Sequence, residues 1–514
     1  MPDHDAIVVG SGVNGLACAA LLAKAGWDVG VYERNDWFGG AIRTAEITEP
    51  GFKHDVFSAW HPLWVGGPAH AQLADDLAAH GLEYLNTDLP TATAFPDGSS
   101  GFLLRDADGN ARELGDEWRG VLESFFPTAD LAFGVLGTEL WSKQGAGLAW
   151  KAMRRLGRDG ARDFAGHLLV SARDWLTDTF ASEQAHGVLA PWVLHTGLGP
   201  DAAASGYMAQ VIAVAVQEGG MPIPRGGGAK LAEALVSYIR AQGGTCETGV
   251  HVDRVATGAV TAGGRTITAS RAVVCNVTPT QLYGDLLGGT PPPFRYGRSE
   301  LQIHFALSEP PRWEGDERLA RTAIVHLTPG LDGVSRAVNE ADRGLLPAEA
   351  TVVVGQPLTM DPSRAPDGKG ILWVQLQELP WHVKGDAAGE LDTGDGAWTD
   401  DLRERYADRI QARIAQHIPN LESSILQRVS LGPHDLQDAN VNLVHGDPYG
   451  GALGLDQNFL WRAQHKTGVD GVWLVGASTH PGPGLGGGSG ALVAQQLLEP
   501  PLAKRVAGKL RRKV

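Results

Sequence analysis

The N-terminal stretch DAIVVGSGVNGLACAALLAKAGWDVGVYER, residues 5–34, constrains the fold more than any other part of the chain. Its first five residues after the aspartate, AIVVG, form a short apolar run that is typical of a buried parallel strand. The alanine- and leucine-rich run Leu16–Lys24 predicts a helix, and DVGVYER predicts a second strand. Gly10, Gly12 and Gly15 stand between the first strand and the helix in the pattern G-x-G-x-x-G. The sequence therefore predicts an α/β fold that contains a Rossmann-like nucleotide-binding domain.

Each part of this motif has a physical role in holding a dinucleotide. Gly10 permits the tight turn, Gly12 lets the backbone approach a pyrophosphate, and Gly15 lets the helix pack closely on the strand. The helix N-terminus attracts the phosphate charge, with Ser11 and Asn14 in the same turn. Glu33 ends the second strand, roughly 20 residues beyond the glycines, where an acidic side chain accepts hydrogen bonds from a ribose. The motif alone leaves NAD and FAD as alternatives.

The segment RNDWFGGAIRT, which begins at Arg34, favours FAD. A pair of glycines directly after the acidic residue is typical of large FAD-dependent oxidoreductases, and Gly39 and Gly40 would let the backbone pass the phosphate and ribityl chain. Ala41 follows them, and Arg43 adds positive charge. We find one G-x-G-x-x-G after a strand and no C-x-x-C, so a second nucleotide domain and a dithiol centre are not predicted.

A second glycine-rich segment, THPGPGLGGGSGALVAQQL, runs from Thr479 to Leu497 near the end of the chain. It follows GVWLVGAST, which predicts a strand, and it ends in a predicted helix. Reduction of a flavin places negative charge around N1 and the C2 carbonyl, and a helix N-terminus directed there stabilises the reduced form. We therefore expect the chain to return to the dinucleotide domain. The expected contact residues are Gly476, Ala477, Leu485, Gly486 and Gly487.

Three segments together resemble the phytoene desaturase and carotenoid isomerase-like flavoproteins: the N-terminal motif, MPIPRGGGAKLAEAL and GASTHPGPGLGGGSG. The wider superfamily includes monoamine and amino-acid oxidases. The resemblance implies a Rossmann-like FAD-binding domain with an α+β substrate domain, and it places Val252 beside the adenine. Amine oxidases usually carry Glu where this chain has Ala477, and the cysteine that some of them bond to FAD has no counterpart near the end. Non-covalent FAD is therefore expected.

The motifs suggest how the two domains alternate along the chain. Residues 1–89, 216–285 and 466–514 are assigned to the FAD-binding domain, because they hold the glycine motifs and the strand-like runs TCETGVHVDRV and RAVVCNVTP. Residues 90–215 are assigned to a helical part of the substrate domain. Residues 286–465 are assigned to its sheet part, because they alternate runs such as SELQIHFALS with turns.

Composition excludes several other classes of protein. The formal charge is -16, so a nucleic-acid partner is not expected. The chain has three distant cysteines and no metal-ligand spacing, so neither a disulfide framework nor a metal site is predicted. The acidic N-terminus and the absence of an apolar run near 20 residues favour a cytoplasmic protein without a membrane span.

The chemistry expected from the resemblance is desaturation of an apolar or conjugated small molecule, with isomerisation or saturation as variants. The difficult chemical step is hydride transfer from the substrate to flavin N5, which the cofactor itself makes possible. The candidate residues for catalysis are Asp55, His61 and His480. Among the 15 tryptophans, the candidates for the substrate pocket are Trp60, Trp64, Trp141, Trp150, Trp192, Trp373 and Trp381. The electron acceptor is open between O2, a quinone and others.

Two alternatives and one accessory site remain open at this point. The first alternative is an oxidase of amines or amino acids, and the second is a lipid-binding carrier on the same scaffold. The accessory site is the basic tail LAKRVAGKLRRKV, which predicts peripheral contact with an anionic membrane.

Overall fold

A computed structural model describes residues 1–499 of the 514-residue chain. The basic tail from Lys504 to Lys513 lies outside the described residues. Two seven-stranded sheets and sixteen α-helices organise the described part. None of the helices within residues 1–499 is both long and apolar enough to cross a membrane.

The first sheet is the predicted nucleotide-binding sheet. Its parallel part pairs neighbouring strands in the order 472–474, 265–275, 4–9, 29–32 and 245–247, and a hairpin extends the long strand at its other end. Its strands are Val252–Ala256, Ala259–Ala262, Arg265–Cys275, His4–Val9, Val29–Tyr32, Thr245–Glu247 and Val472–Leu474. The strand Val472–Leu474, which precedes the C-terminal glycine-rich segment, thus pairs in parallel with Arg265–Cys275 of this sheet.

Three helices cover one face of this sheet. Val13–Lys24 begins directly after the glycine turn, and its first eleven residues are buried. Ala229–Ala241 and the C-terminal helix Gly488–Leu498 pack against it. Gly490 is required at this contact, because a Cβ there would overlap the Asn14 carbonyl oxygen. The C-terminal glycines therefore serve close packing between helices as well as the turn.

The second sheet is mixed and lies in the substrate domain. It runs in the order 425–431, 299–307, 370–379, 352–355, 324–327, 91–94 and 100–103, and only the pair 324–327 with 91–94 is parallel. The helix Asp400–Ala415 covers one apolar face through Leu402, Tyr406 and Ile410. Its strands are Ile425–Leu431, Ser299–Leu307, Gly370–Leu379, Val352–Gly355, Ile324–Leu327, Thr91–Ala94 and Ser100–Leu103.

The segment 90–215, predicted to be the mostly helical part of the substrate domain, also contains strands. It begins with the hairpin Thr91–Ala94 and Ser100–Leu103, which joins the second sheet before the helices start. Short strands escape a pattern search because TATA and SGFL carry little apolar periodicity. The domain boundaries themselves stay a prediction. The helices of this segment are Ala107–Leu114, Glu117–Phe125, Ala129–Leu136, Lys143–His167, Ala172–Thr179, Glu183–Leu189 and Ser205–Gly219.

Shorter elements connect these layers. Three two-stranded pairs, a helix at Leu331–Asp342 and one at Pro433–Ala439 complete the substrate domain and its links. The paired strands are Thr44–Ala45 with His54–Asp55, Tyr84–Leu85 with Ile223–Pro224, and Leu345–Leu346 with Gly385–Asp386. The remaining helices are Pro62–Val65, Pro68–Ala79 and Leu421–Ser424. The α/β class with a mixed-sheet second domain agrees with the sequence prediction.

Candidate active site

One cavity has walls from both sheets. Its first end is formed by the turns at the carboxyl ends of the parallel strands, including Gly10, Glu33 and Asn276. Its second end is formed by the second sheet and by the helix Ser205–Gly219. The carboxyl edge of a parallel sheet is where such folds bind nucleotides, so the fold itself positions the first end.

The glycine end fits a group that needs close backbone approach. Gly10 has φ +86°, a left-handed conformation that favours glycine. A Cβ on Gly12 would overlap the Asn276 side-chain amide, and one on Gly40 would lie 3.1 Å from the Gly12 Cα. These glycines leave a backbone-lined cradle that a side chain would fill. The residues present therefore fit the diphosphate and ribityl chain of a flavin dinucleotide.

Glu33 is part of the wall at this end and is held firmly. It is 5% exposed, and its carboxylate accepts hydrogen bonds from the Ser11 backbone N–H at 2.8 Å and from the Ser11 hydroxyl at 2.7 Å. The Asn35 backbone N–H donates to the other oxygen at 2.9 Å. Ser11 therefore acts behind the wall, where it fixes the orientation of the carboxylate. The carboxylate keeps lone pairs for a ribose hydroxyl.

The structure places most predicted cofactor residues in the cavity wall and a minority behind it. Behind the wall, Arg43 lies 4.2 Å from the centre of the Trp37 ring, a Cβ on Gly486 would lie 3.2 Å from the Leu63 carbonyl oxygen, and Gly487 caps the C-terminal helix. Ser11 and Gly15 also lie behind the wall. Ser11 links the turn to Glu33, and Gly15 packs the helix against the strand. The predicted residues in the wall are Gly10, Gly12, Asn14, Glu33, Arg34, Gly39, Gly40, Ala41, Val252, Gly476, Ala477 and Leu485.

Asn276 is a wall residue that the sequence reasoning missed. It follows directly on the strand Arg265–Cys275, whose carboxyl end meets the same edge as the glycine turn. Its side-chain nitrogen lies against Gly12, and its backbone carbonyl accepts from Asn442 at 3.1 Å. A polar residue at the carboxyl end of a neighbouring parallel strand was the signal that could have found it.

Asp55, predicted for catalysis, is a structural residue in this fold. It forms a fully buried ion pair with Arg364, and its other oxygen accepts from Thr44 Oγ1 and from the Gly228 backbone N–H, each at 2.7 Å. The cavity wall does not include it. The Asp55 carboxylate binds all three of these partners, so Asp55 holds the loops around the cavity together.

The two predicted catalytic histidines also lie outside the cavity wall. His61 is fully buried, its Nδ1 lies 3.1 Å from the Tyr84 hydroxyl, and burial lowers its pKa to about 4. His480 has its Nε2 2.8 Å from the Val135 carbonyl oxygen, and burial lowers its pKa as well. Both rings are held neutral behind the wall. The geometry therefore gives no support to proton transfer by either histidine.

Aromatic side chains line the second end of the cavity. Trp60 and Trp373 meet edge to face with ring centres 5.3 Å apart, and Trp192 lies in the same wall. Gly355 makes room for Trp60, because a Cβ there would overlap the indole ring. Trp373 is fixed by a 2.8 Å hydrogen bond from its Nε1 to the Phe57 carbonyl oxygen. These rigid rings offer flat apolar surfaces to a ligand.

The other tryptophans that the sequence offered for the pocket lie elsewhere. Trp64 is fully buried in the core of the nucleotide domain. Trp141 and Trp150 are exposed on the surface, and Trp381 stacks on His445 outside the cavity. Trp residues share the same local signal whether they serve core, surface or site, so only tertiary structure separates them.

A row of polar side chains faces the same end of the cavity. Glu300 and Gln302 come from the strand Ser299–Leu307, and Gln375 and Gln377 come from its neighbour Gly370–Leu379. Gln302 and Gln375 are partners in the strand register. Alternation in ELQIHF and WVQLQ is the sequence signal for this wall, since successive residues point to opposite faces. We missed it because the runs look like ordinary buried strands.

This polar wall carries little charge near neutral pH. Burial raises the pKa of Glu300 to about 8, so its carboxyl group holds a proton below that pH. Burial lowers the pKa of His195 to about 4, so this ring is neutral. Gln377 Nε2 lies 3.2 Å from His195 Nδ1, and His195 Nε2 lies 3.1 Å from His326 Nε2. Among the described wall residues, Arg34 at the glycine end is the one lysine or arginine.

Comparison with known proteins agrees with this geometry. The family model for flavin containing amine oxidoreductases matches residues 14–497. The chain is 26% identical to pyridine nucleotide-disulfide oxidoreductase domain-containing protein 2 of Rattus norvegicus, over 95% of this chain and 92% of that protein. It is 27% identical to a lycopene-forming phytoene desaturase of Paracoccus sp., over 96% and 97%.

Among solved structures, the chain is similar in fold to cyclohexylamine oxidase from Brevibacterium oxydans IH-35A. The TM-score is 0.57 at 17% sequence identity, and the match covers 97% of this chain and 100% of that one. The predicted resemblance to phytoene desaturase-like flavoproteins, within the wider superfamily of amine oxidases, is confirmed by the family model and by the phytoene desaturase relative. The match along nearly the whole chain shows that it belongs to the flavin containing amine oxidoreductase family.

Proposed function

We propose that this flavin-dependent oxidoreductase binds FAD without a covalent bond and dehydrogenates a carbon–carbon bond of a small unsaturated molecule. The observation that carries the proposal is the single cavity that joins a glycine-lined dinucleotide end to an aromatic end. The relatives named as phytoene desaturases support the same reaction class. O2 or a quinone is the proposed electron acceptor.

The residues of the chain bind the cofactor, and they orient and desolvate the substrate. Gly12, Gly40 and Glu33 hold the dinucleotide, and the bound flavin supplies a hydride acceptor at N5. Trp60, Trp192 and Trp373 hold an unsaturated body flat and exclude water. The three residues proposed for catalysis from sequence do not line the cavity. The cavity wall therefore supports a role for the protein in positioning the substrate.

The polar wall adds a requirement on the substrate. Gln302 and Gln377 each have a side-chain oxygen without a partner in the described protein, and Trp60 and Trp192 each have an unpartnered indole nitrogen. A buried donor or acceptor left unpaired costs about 1–3 kcal/mol. We therefore infer a substrate with an apolar body and one uncharged hydrogen-bonding group, such as a hydroxyl or a carboxamide.

An amine oxidase is the second candidate, and one observation favours it. Glu300 lies in the same wall as the Trp60 and Trp373 rings, and aromatic rings beside a carboxylate attract an alkylammonium ion. The raised pKa of Glu300 weighs against it, because a protonated carboxyl group offers no charge to the ammonium. Amine-dependent release of hydrogen peroxide would support this second candidate.

The test begins with the absorption spectrum of the purified protein. Flavin bands that pass into the supernatant after acid precipitation support non-covalent FAD, and bands that stay with the pellet contradict it. A protein without flavin would favour a carrier on the same scaffold. Anaerobic bleaching is then measured with one terpenoid skeleton bearing no head group, a hydroxyl, a carboxamide or an amine. Bleaching by the alcohol or amide supports the proposal, and bleaching by the amine alone overturns it.

A further inference from the structure

Exposed apolar side chains concentrate in one region of the surface. Thirteen large hydrophobic residues are exposed in the described part of the chain, and nine of them fall within 126–169 and 455–461. All five exposed large aromatic residues are among these nine. We call the following set the aromatic surface: Phe126, Phe133, Trp141, Trp150, Met153 and Trp461, with exposures from 45% to 66%. Soluble proteins rarely leave such groups together unless they meet a partner.

The helical segment Lys143–His167 forms much of this region, has no buried residue along its 25 positions, and is broken at Gly157, whose φ of 71° is not helical. Before this break, Leu148 and Leu156 are half-buried. Trp150 and Met153 are exposed on another side, 66% and 45% respectively. A helix that keeps its outward apolar residues in water is missing a partner on that face.

Charge on this helix indicates what the partner is. The segment 143–167 contains six lysines or arginines and two aspartates, in a chain whose formal charge is -16. Before the break at Gly157, Lys151 and Arg155 pair with Asp130, and Lys143 and Arg154 are exposed. Basic residues beside tryptophans on one helix are typical of helices that lie in the interface of an anionic bilayer.

A second cavity lies beneath this surface. Its volume is about 620 Å³, and its wall is almost wholly apolar, with Leu136, Leu168 and Trp461 among its residues. Val211 belongs to this wall, and the next residue, Ile212, belongs to the wall of the active-site cavity. Both lie on the helix Ser205–Gly219, which is therefore the partition between the two cavities. An apolar molecule that leaves a bilayer at this surface meets the second cavity first.

We propose that the aromatic surface and the basic side of the helix Lys143–His167 dock on an anionic lipid bilayer, and that the second cavity receives the apolar part of a substrate from it. Docking stands on the exposed residues and charges alone. The delivery of substrate rests on the proposed function. A second copy of this chain is the competing occupant, and the test separates it from lipid.

The test is co-sedimentation of the full-length flavoprotein with vesicles of phosphatidylcholine containing about 30% phosphatidylglycerol. The variant carries Trp150→Glu and Met153→Glu, and the matched control carries Leu426→Glu, an exposed leucine of the second sheet. We expect the double variant to lose at least about tenfold in vesicle partitioning, and the control to keep it. Vesicles without the anionic lipid should bind the wild-type chain less.

Two further arms make the outcome decisive. A chain truncated after Leu502 should keep most of its vesicle binding, since the surface and not the tail makes the contact. Equal binding by wild type and double variant, or loss on truncation alone, would overturn the proposal. A change of oligomeric state in light scattering, without any lipid effect, would assign the surface to a second copy and overturn it too. Flavin content is measured in parallel, so failure of the proposed function is seen separately.

Discussion

Glu300 makes the sharpest prediction about stability, because its proton is held by the fold. It is 4% exposed in the active-site wall, and burial is the largest cause of its raised pKa, ahead of the opposing hydrogen bond with Gln375. In the unfolded chain the same carboxyl group titrates at 4.5, and in the folded chain at about 8. Between these values the folded chain binds a proton that the unfolded chain does not. Stability from this group therefore falls as the pH rises through that window.

The magnitude follows from the width of the window. The pKa rises from 4.5 to about 8, a difference of about 3.5, and each unit corresponds to about 1.4 kcal/mol, so the full loss is on the order of 5 kcal/mol. Glu300→Gln keeps the shape and removes the titration. Relative to wild type, the variant should gain stability progressively from about pH 4.5 to about pH 8, with a constant difference above that.

The assay is urea unfolding at saturating flavin, followed by tryptophan fluorescence, from about pH 5 to about pH 9. Glu309→Gln is the matched control: Glu309 lies just after the same strand on the surface, and hydrogen bonds from Asn420 and Arg312 lower its pKa. Its removal should leave the pH dependence in this range unchanged. A difference between Glu300→Gln and wild type that stays constant across the range would refute the reasoning.

Three further predictions follow from the site. Gly12→Val should abolish flavin binding, because its side chain would overlap the Asn276 amide, and the flavin absorbance of the purified variant checks this. Glu33→Ala should weaken flavin affinity by about 1–3 kcal/mol, measured by titration of the apoprotein; unchanged affinity would contradict the ribose assignment. Asp55→Ala should lower the free energy of unfolding by about 1–3 kcal/mol, because it removes one of the two buried carboxylates that pair with Arg364 and leaves the guanidinium with Asp361 alone, whereas a direct catalytic role would leave stability unchanged.

The sequence by itself determined the nucleotide-binding half. Gly10, Gly12 and Glu33 act through local geometry, since a turn between a strand and a helix, and an acid at the end of the next strand, need only neighbouring residues to be specified. The α/β class and the return of the chain at GVWLVGAST followed from apolar runs and glycine placement.

The catalytic assignments show where local reasoning stops. Asp55, His61 and His480 were chosen for residue type and for distance along the chain from the glycine motifs. Whether a carboxylate reaches a cavity or a buried arginine depends on residues far away, and Arg364 lies 309 positions from Asp55. No short segment of the sequence shows which of these partners the carboxylate meets.

Only the tertiary structure decided the substrate end and the surface. Glu300 and Gln302 lie beside Gln375 and Gln377 because two strands pair in one register, and a shift of one residue in either strand would turn the two residues of that strand away from the cavity. Trp60, Trp64 and Trp150 have the same side chain, yet they serve the cavity wall, the core and the surface. Burial and charge state are properties of the assembled layers, because desolvation is set by what surrounds a group in space. The physical reason is that binding a dinucleotide uses a local turn, whereas selecting a substrate uses surfaces brought together from across the chain.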